Sequence, residues 1–222
     1  TESDTAAEGL IIERLLASRP DDGILGEESA EVTGRSGVVW VVDPIDGTVN
    51  YLYGLPQYAV SIAAELNGTT VVGVVHKPES DQTWTAARGG GAFLDGRPIT
   101  ESGCDRIDRA LIATGFGYDS GRRARQAAVL THVLPRVRDI RRAGSASLDL
   151  CAVASGLVDG YYERGLAPWD LAAGQLIAEE AGVTVAGLGG RAAGEDLVIA
   201  AGPALFPALH DLLEPLGADS DG

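Results

Sequence analysis

The sequence predicts an α/β protein whose first half is dominated by antiparallel strands and whose second half alternates strand with helix. Three observations carry this reading. Residues 58–66, 70–76 and 81–87 are β-branched in part and separated by Asn67-Gly68 and Pro78-Glu79 turns, the pattern of consecutive hairpin-linked strands. From Arg122 onward, strand-like segments take turns with segments of helical period. Ahead of the hairpins, Val38-Val39-Trp40-Val41-Val42 is apolar without a break, as a strand covered on both faces is.

Ser3 and Asp4 are the expected caps of a first helix over 5–18. In it Ala7, Ile11 and Leu15 recur four apart, Ile12 and Leu16 widen that face, and Glu8, Glu13 and Arg14 are expected to face water. Pro20-Asp21-Asp22-Gly23 ends it, and Gly26-Glu27-Glu28-Ser29 closes a short strand. Residues 30–37 read as a polar loop. The apolar strand then runs into Asp43-Pro44-Ile45-Asp46-Gly47-Thr48, and a short helix follows and stops at Gly54-Leu55-Pro56. Arg88 to Gly96 marks another hairpin and 111–114 another strand. Near Arg122 a helix begins, with Ala127, Leu130, Leu134 and Val137 expected on its inner face and Arg122, Arg125, Gln126 and Arg136 opposite. Strands at 139–142, 158–163, 184–185 and 197–200 alternate with helices at 145–155, 168–181 and 203–216, before an acidic tail at 218–222. The natural division is residues 1–114, an α+β half, and residues 115–222, an α/β half.

The 222 residues suffice for a substantial core. No apolar run approaches the ~20 residues that span a bilayer, and the polar, acidic start is not a signal peptide. With no Met in the chain, Thr1 is expected not to be a native start. A formal charge of −15 argues against nucleic acid as the main ligand, because phosphate backbones need a basic surface. That balance suits a protein that binds cations. Cys104 and Cys151 make no CxxC pair, and Cys151 in an apolar stretch reads as a buried thiol, which fits a reducing cytoplasm.

The chemistry concentrates at Asp43 and Asp46. Pro44 fixes its own φ and pushes Asp43 into an extended conformation. A turn there can bring both carboxylates and the Ile45 carbonyl together, three oxygen donors suited to a hard cation such as Mg²⁺. Gly47 and Thr48 open a helix whose N–H groups can hold a phosphate oxygen. Asp-Pro and Asp-Gly are also common turn formers, so this stretch alone leaves both readings open. Glu27-Glu28 likewise reads as a metal ligand or a solvated loop, and Asp170, in the first turn of an apolar helix, as a ligand or a cap.

Taken together, these stretches resemble the inositol monophosphatase family. Trp40 to Thr48 with Asn50 is similar to its first signature, Trp169-Asp170-Leu171-Ala172-Ala173-Gly174 to its second, and Gly26 to Ser29 to the segment bearing its metal-binding glutamate. The resemblance continues through Arg88 to Phe93, Gly144-Ser145-Ala146 and Tyr161-Tyr162-Glu163, over essentially the whole chain. It implies a layered α/β/α/β/α sandwich of the inositol monophosphatase and fructose-bisphosphatase type. A large N-terminal antiparallel sheet and a smaller C-terminal mixed sheet would flank the site.

Carried over residue by residue, the resemblance implies that Glu27, Asp43 and the Ile45 carbonyl hold one Mg²⁺. It implies that Asp43, Asp46 and Asp170 hold a second, and that Glu27 faces a third through water. Thr48 and Asp4 match the pair that positions the attacking water. Asp46, Gly144, Ser145, Ala146, Glu163 and Asp170 match contacts to sugar or inositol hydroxyls, Gly47-Thr48 matches the phosphate contact, and Arg141 matches a supporting arginine. The implied activity is lithium-sensitive, Mg²⁺-dependent hydrolysis of inositol 1-phosphate by a cytoplasmic homodimer. The implied rivals are fructose-1,6-bisphosphatase, histidinol-phosphatase, or a phosphatase for 3′-phosphoadenosine 5′-phosphate. Some bacterial members instead bind RNA polymerase and assist ribosomal RNA transcription. The family has a further N-terminal helix and hairpin ahead of the residues matching Thr1 to Asp4.

Other chemistries find no support. There is no GxSxG elbow, and His76, His132 and His210 are scattered, which argues against a Ser/His/Asp hydrolase and against zinc. Gly115-Phe116-Gly117 lacks the third glycine of a dinucleotide loop, and Gly89-Gly90-Gly91 reads as a hairpin bend. Arg122, Arg123 and Arg125 read as a solvated helix face.

Overall fold

The structure, a computed structural model, describes residues 1–29 and 31–220. Ala30 of the expected loop and Asp221 and Gly222 of the expected tail lie outside the described residues. Helix α1 (Glu2–Ser18) precedes a seven-stranded sheet built in chain order from β1 (Gly23–Gly26), β2 (Val38–Asp46), β3 (Ala59–Leu66), β4 (Thr69–Lys77), β5 (Gln82–Ala87), β6 (Ala92–Leu94) and β7 (Arg97–Pro98). The β1/β2 pair is parallel and every later pair antiparallel. A five-residue helix, α2 (Thr48–Leu52), follows β2 directly.

The second sheet has the order β11 (Thr184–Ala186), β12 (Val198–Ala201), β10 (Gly160–Glu163), β8 (Leu111–Thr114), β9 (Asp139–Arg141). It is mixed, since β8 runs parallel to β10 and β9 whereas β12 is antiparallel to β10 and β11. Its connections include α3 (Ser120–Val133), α4 (Ala146–Ala154) and α5 (Pro168–Glu180), and α6 (Phe206–Leu213) follows its last strand, β12.

Two apolar clusters define the layers. One joins Val41, Ala63, Val75 and Trp84 of the large sheet to Leu150, Cys151 and Val153 of α4, Ala173, Leu176 and Ile177 of α5, and Tyr161 and Ala200 of the small sheet. Helices α4 and α5 are therefore a filling between two sheets. Close packing explains Gly73 of β4, where a Cβ would stand 2.8 Å from the Ala173 carbonyl of α5. The second cluster packs the other face of the small sheet against Val129 and Val133 of α3 and Leu205, Leu209 and Leu213 in and beside α6. With α1 against β2, the order is helix, sheet, helix, sheet, helix, the five-layer sandwich that the family resemblance implied.

Three local readings need correction. Thr1 caps α1, its hydroxyl accepting the Asp4 N–H at 3.3 Å, so Asp4 is a buried first-turn residue rather than a cap. Glu8 is not wet but only 1% exposed, and its Oε1 accepts the Glu28 N–H at 3.2 Å. On α3 the inner face is Val129 and Val133, whereas Leu134 is 49% exposed. Val129 and Val133, four apart, share that face, and Leu134 stands about 100° around the helix from Val133.

Candidate active site

A cleft of about 390 Å³ opens where strand ends and helix starts of both sheets meet. Glu27, Asp43, Ile45, Asp46, Gly47 and Thr48 line it from the large sheet, and Gly144, Ser145, Ala146, Glu163 and Asp170 from the small-sheet side.

The strand that carries the aspartates is irregular where it matters. Asp43 pairs with Ser61 and Asp46 with Ala59, so three steps along β2 oppose two along β3. In a regular strand residues three apart point to opposite faces. The extra residue at Pro44-Ile45 cancels that alternation, and Pro44 has no N–H to lose from the ladder. Carboxylate oxygens of Asp43, Asp46 and Asp170 consequently lie within 4.8 Å of one another. Glu27 stands at the exposed edge of this trio, beside Asp43.

Asp46 is anchored from the far side of the cleft. Its carboxylate accepts the Ser145 hydroxyl at 2.7 Å, the Ser147 N–H at 2.7 Å, the Ala146 N–H at 3.3 Å and the Ser147 hydroxyl. It thus caps the N-terminus of α4, whose dipole favours an anion there. Asp170, third residue of α5, accepts the Ala167 N–H at 2.7 Å. Asn50 braces the floor by donating to the carbonyls of Gln57 (2.6 Å), Ala143 (2.9 Å) and Gly144 (3.3 Å). Gly47 takes φ of 95°, and a Cβ there would lie 3.0 Å from the Gly144 carbonyl, so a side chain is excluded by conformation and by space.

Beneath the cleft the Thr48 hydroxyl lies 3.2 Å from Asp4 Oδ1 and 3.1 Å from the Ile45 carbonyl. On the opposite wall the Tyr161 hydroxyl donates to Glu163 Oε2 at 2.7 Å. Gly115 leaves room for that carboxylate, since a Cβ would come within 1.9 Å of Glu163 Oε2.

Burial pushes Asp43 well above the carboxylate range, and the charges of Asp46, Glu27 and Asp170 push it further. Burial, then the charge of Asp46, raises Asp170 to about 7. Burial also raises Asp46, against the hydrogen bonds from Ser147 and Ser145, and raises Glu27. Glu163 is pushed up to about 7 by burial, with the Tyr161 hydroxyl opposing. Two ionised carboxylates within 4.8 Å of each other repel by about 3 kcal/mol or more at an effective dielectric near 20. The trio can be fully ionised only around a cation, and its all-oxygen donor set fits a hard divalent ion.

Sequence reasoning missed the cationic side of the cleft. Arg142, not Arg141, lines it, while Arg141 pairs with Asp139 at 2.7 Å with 54% of its side chain exposed. Successive residues at a strand end point to opposite sides, which separates the two arginines. Arg122 also lines the cleft rather than a solvated face, beside Arg164 and the loop of Phe116, Gly117, Tyr118 and Asp119. The adjacency of Arg142 to Gly144-Ser145 was the available signal. For Arg122, nothing local to its helix was.

The family model for the inositol monophosphatase family matches residues 1–217. The chain belongs to the inositol monophosphatase family. It is thus a member of a phosphatase family that hydrolyses phosphomonoesters and depends on metal. Inositol-1-monophosphatase SuhB of Mycobacterium tuberculosis is 50% identical over 221 residues, covering 95% of this chain and 76% of that relative. A Nus factor SuhB of Escherichia coli is 44% identical over 188 residues, 82% of this chain and 69% of that protein. Among solved structures, Mycobacterium tuberculosis SuhB superposes with a TM-score of 0.87 at 47% identity, covering 98% of this chain and 85% of that one. The extragenic suppressor protein suhB of Bartonella henselae reaches a TM-score of 0.90 at 40% identity, over 95% and 83% of the two chains. Among the described residues no helix of this inositol monophosphatase-family member is long and apolar enough to cross a membrane.

Proposed function

We propose that this chain hydrolyses inositol 1-phosphate to inositol and phosphate, using Mg²⁺. The observation that carries the reading is the convergence of Asp43, Asp46 and Asp170 carboxylates within 4.8 Å beside the Thr48–Asp4 contact. A name shared by relatives about half identical supports the substrate.

Glu27, Asp43 and the Ile45 carbonyl would hold one Mg²⁺, and Asp43, Asp46 and Asp170 a second, with Glu27 facing a third through water. When bound, paired divalent ions would supply activation of a water and stabilisation of the leaving alkoxide. The protein's own part is positioning. Thr48 donates its hydroxyl proton to Asp4 Oδ1, which leaves its oxygen lone pairs to accept a proton of the attacking water and hold it in line. Gly47 and Thr48 N–H groups receive the phosphate. Glu163, Ser145 and the Ala146 backbone hold the hydroxyls of the alcohol, together with Asp46, Gly144 and Asp170. Water attacks directly, so no enzyme side chain becomes phosphorylated.

The test is a phosphate-release panel with and without Mg²⁺ over inositol 1-phosphate, fructose 1,6-bisphosphate, histidinol phosphate and 3′-phosphoadenosine 5′-phosphate, run beside Asp43→Asn. Preference for a rival substrate would move the assignment within the family, and equal turnover by Asp43→Asn would refute the metal mechanism. Lithium inhibition is expected. Homodimerisation, proposed from the family resemblance, is read by sedimentation. A second reading, favoured by the 44% identical relative named Nus factor SuhB, is an RNA polymerase partner. Polymerase retrieved from lysate by both wild type and Asp43→Asn would support it. Free Cys104 and buried, free Cys151 support placing the protein in the reducing cytoplasm.

A further inference from the structure

The loop between β8 and α3 carries an aromatic side chain that no step above uses. It is pinned at three consecutive residues, two through the backbone and one through a side chain. The Gly117 N–H donates to Gln126 Oε1 at 2.9 Å, Arg123 Nη1 donates to the Tyr118 carbonyl at 2.6 Å, and Asp119 caps α3 through the Arg122 N–H at 2.8 Å. At the root of the loop, Gly115 lies against Glu163. Yet the Tyr118 side chain is 81% exposed and lines the cleft beside Phe116. No described residue hydrogen-bonds its hydroxyl. Partial desolvation against the cleft, then the negative charge of Glu27, raises that hydroxyl's pKa, so the ring stands in the field of the carboxylates although water reaches most of it.

A single exposed tyrosine is ordinary on a protein surface. One held by a rigid backbone at the mouth of a cleft is placed for contact, because little ordering entropy remains to be lost when something lies against it. The surroundings say what that something is. The cleft's polar groups, Glu163, Ser145 and Asp170, can address hydroxyls. A cyclic polyol carries hydroxyls around its edge and C–H bonds on its faces, and the faces need an apolar or aromatic wall.

We propose that Tyr118 is a specificity-determining residue whose ring is the platform for the C–H face of the polyol half of the substrate. The inference rests on the phosphomonoesterase reading above and deepens it, assigning preference for a ring-bearing alcohol over an acyclic one. The phenol hydroxyl has no part in it.

The test compares Tyr118→Ala and Tyr118→Phe on inositol 1-phosphate and on glycerol 2-phosphate, an acyclic ester of similar charge, with Mg²⁺ present. For Tyr118→Ala, KM for inositol 1-phosphate is expected to rise about tenfold with kcat held within about twofold, the scale of one aromatic contact. KM for glycerol 2-phosphate should stay within about twofold, and Tyr118→Phe should match wild type on both esters. Because the side chain is exposed, Tyr118→Ala should keep the wild-type unfolding temperature, which separates loss of contact from loss of fold. Unchanged KM for inositol 1-phosphate, an equal rise for both esters, or a loss in Tyr118→Phe as large as in Tyr118→Ala would each overturn the platform. If the wild type cleaved neither ester, the phosphomonoesterase reading would fall and the platform with it. Wild-type cleavage of both with KM insensitive to Tyr118→Ala would remove the platform alone.

Discussion

Glu163→Gln should make the metal-free protein more stable at alkaline pH while weakening its hold on substrate. Burial raises Glu163 from 4.5 to about 7. At about 1.4 kcal/mol per pH unit, and allowing for the part of the carboxylate that water still reaches, its ionised form costs the folded state about 2 to 3 kcal/mol. The sign follows from which state holds the proton. Below pH 4.5 both states are protonated and nothing is lost; between 4.5 and about 7 the unfolded chain releases its proton first, and stability falls as pH rises; above about 7 the full cost is present. Glutamine carries no charge at any pH and can still accept the Tyr161 hydroxyl. Thermal unfolding in EDTA should therefore show a gain of roughly 4 to 12 °C at pH 8, at about 2 to 4 °C per kcal/mol, shrinking by half or more at pH 5.5. In the same variant KM for inositol 1-phosphate should rise. An equal gain at both pH values, or a loss at pH 8, would refute the burial argument for this wall of the cleft.

Other outcomes follow from the same geometry. Asp43→Asn should abolish the rise in unfolding temperature that Mg²⁺ produces, while leaving the metal-free protein at pH 8 at least as stable as wild type because one repulsive charge has gone; calorimetry with and without Mg²⁺ checks both. Gly115→Ala places a Cβ 1.9 Å from Glu163 Oε2 and should cost about 1 to 3 kcal/mol by overpacking. It should also lower kcat/KM, and an unchanged denaturant midpoint would count against it. Asn50→Ala strips donors from the carbonyls of Gln57, Ala143 and Gly144. About 2 to 3 kcal/mol should be lost in urea unfolding at unchanged slope.

What could be read from sequence was what is local. The apolar strand, the Asp43-Pro44-Ile45-Asp46 turn and the alternation after Arg122 are each carried by neighbours in the chain, and the architecture follows them. The burial of Glu8 was not legible, because it depends on Gly26 and Glu28 arriving from the next element; a Cβ on Gly26 would lie 2.0 Å from Glu8 Oε1. The inner face of α3 was misassigned because Val129 and Val133 form a second apolar stripe one residue, about 100° of rotation, away from Leu130 and Leu134, and the tertiary packing selects it. Arg122 looked solvated since it lies among the arginines of a polar helix start, and the 115–119 loop that makes this the wall of the cleft comes from outside the helix. Asp170 offered two readings, cap and ligand: it accepts the Ala167 N–H as a cap does, and its place in the carboxylate trio is what the ligand proposal rests on.

The anchoring of Asp46 reaches beyond the reaction. Its backbone belongs to a strand of the large sheet, and the groups that steady its carboxylate begin a helix 99 residues later in the chain. A cation drawing on Asp46 therefore grips both, and loading the centre should slow amide exchange at the start of α4 as much as at the end of β2. Grafting either sheet from a more distant relative would break this grip unless the serines at 145 and 147 travelled with the aspartate. In this chain the unit of inheritance is the pair, and the gap between its members is bridged by the interior of the protein.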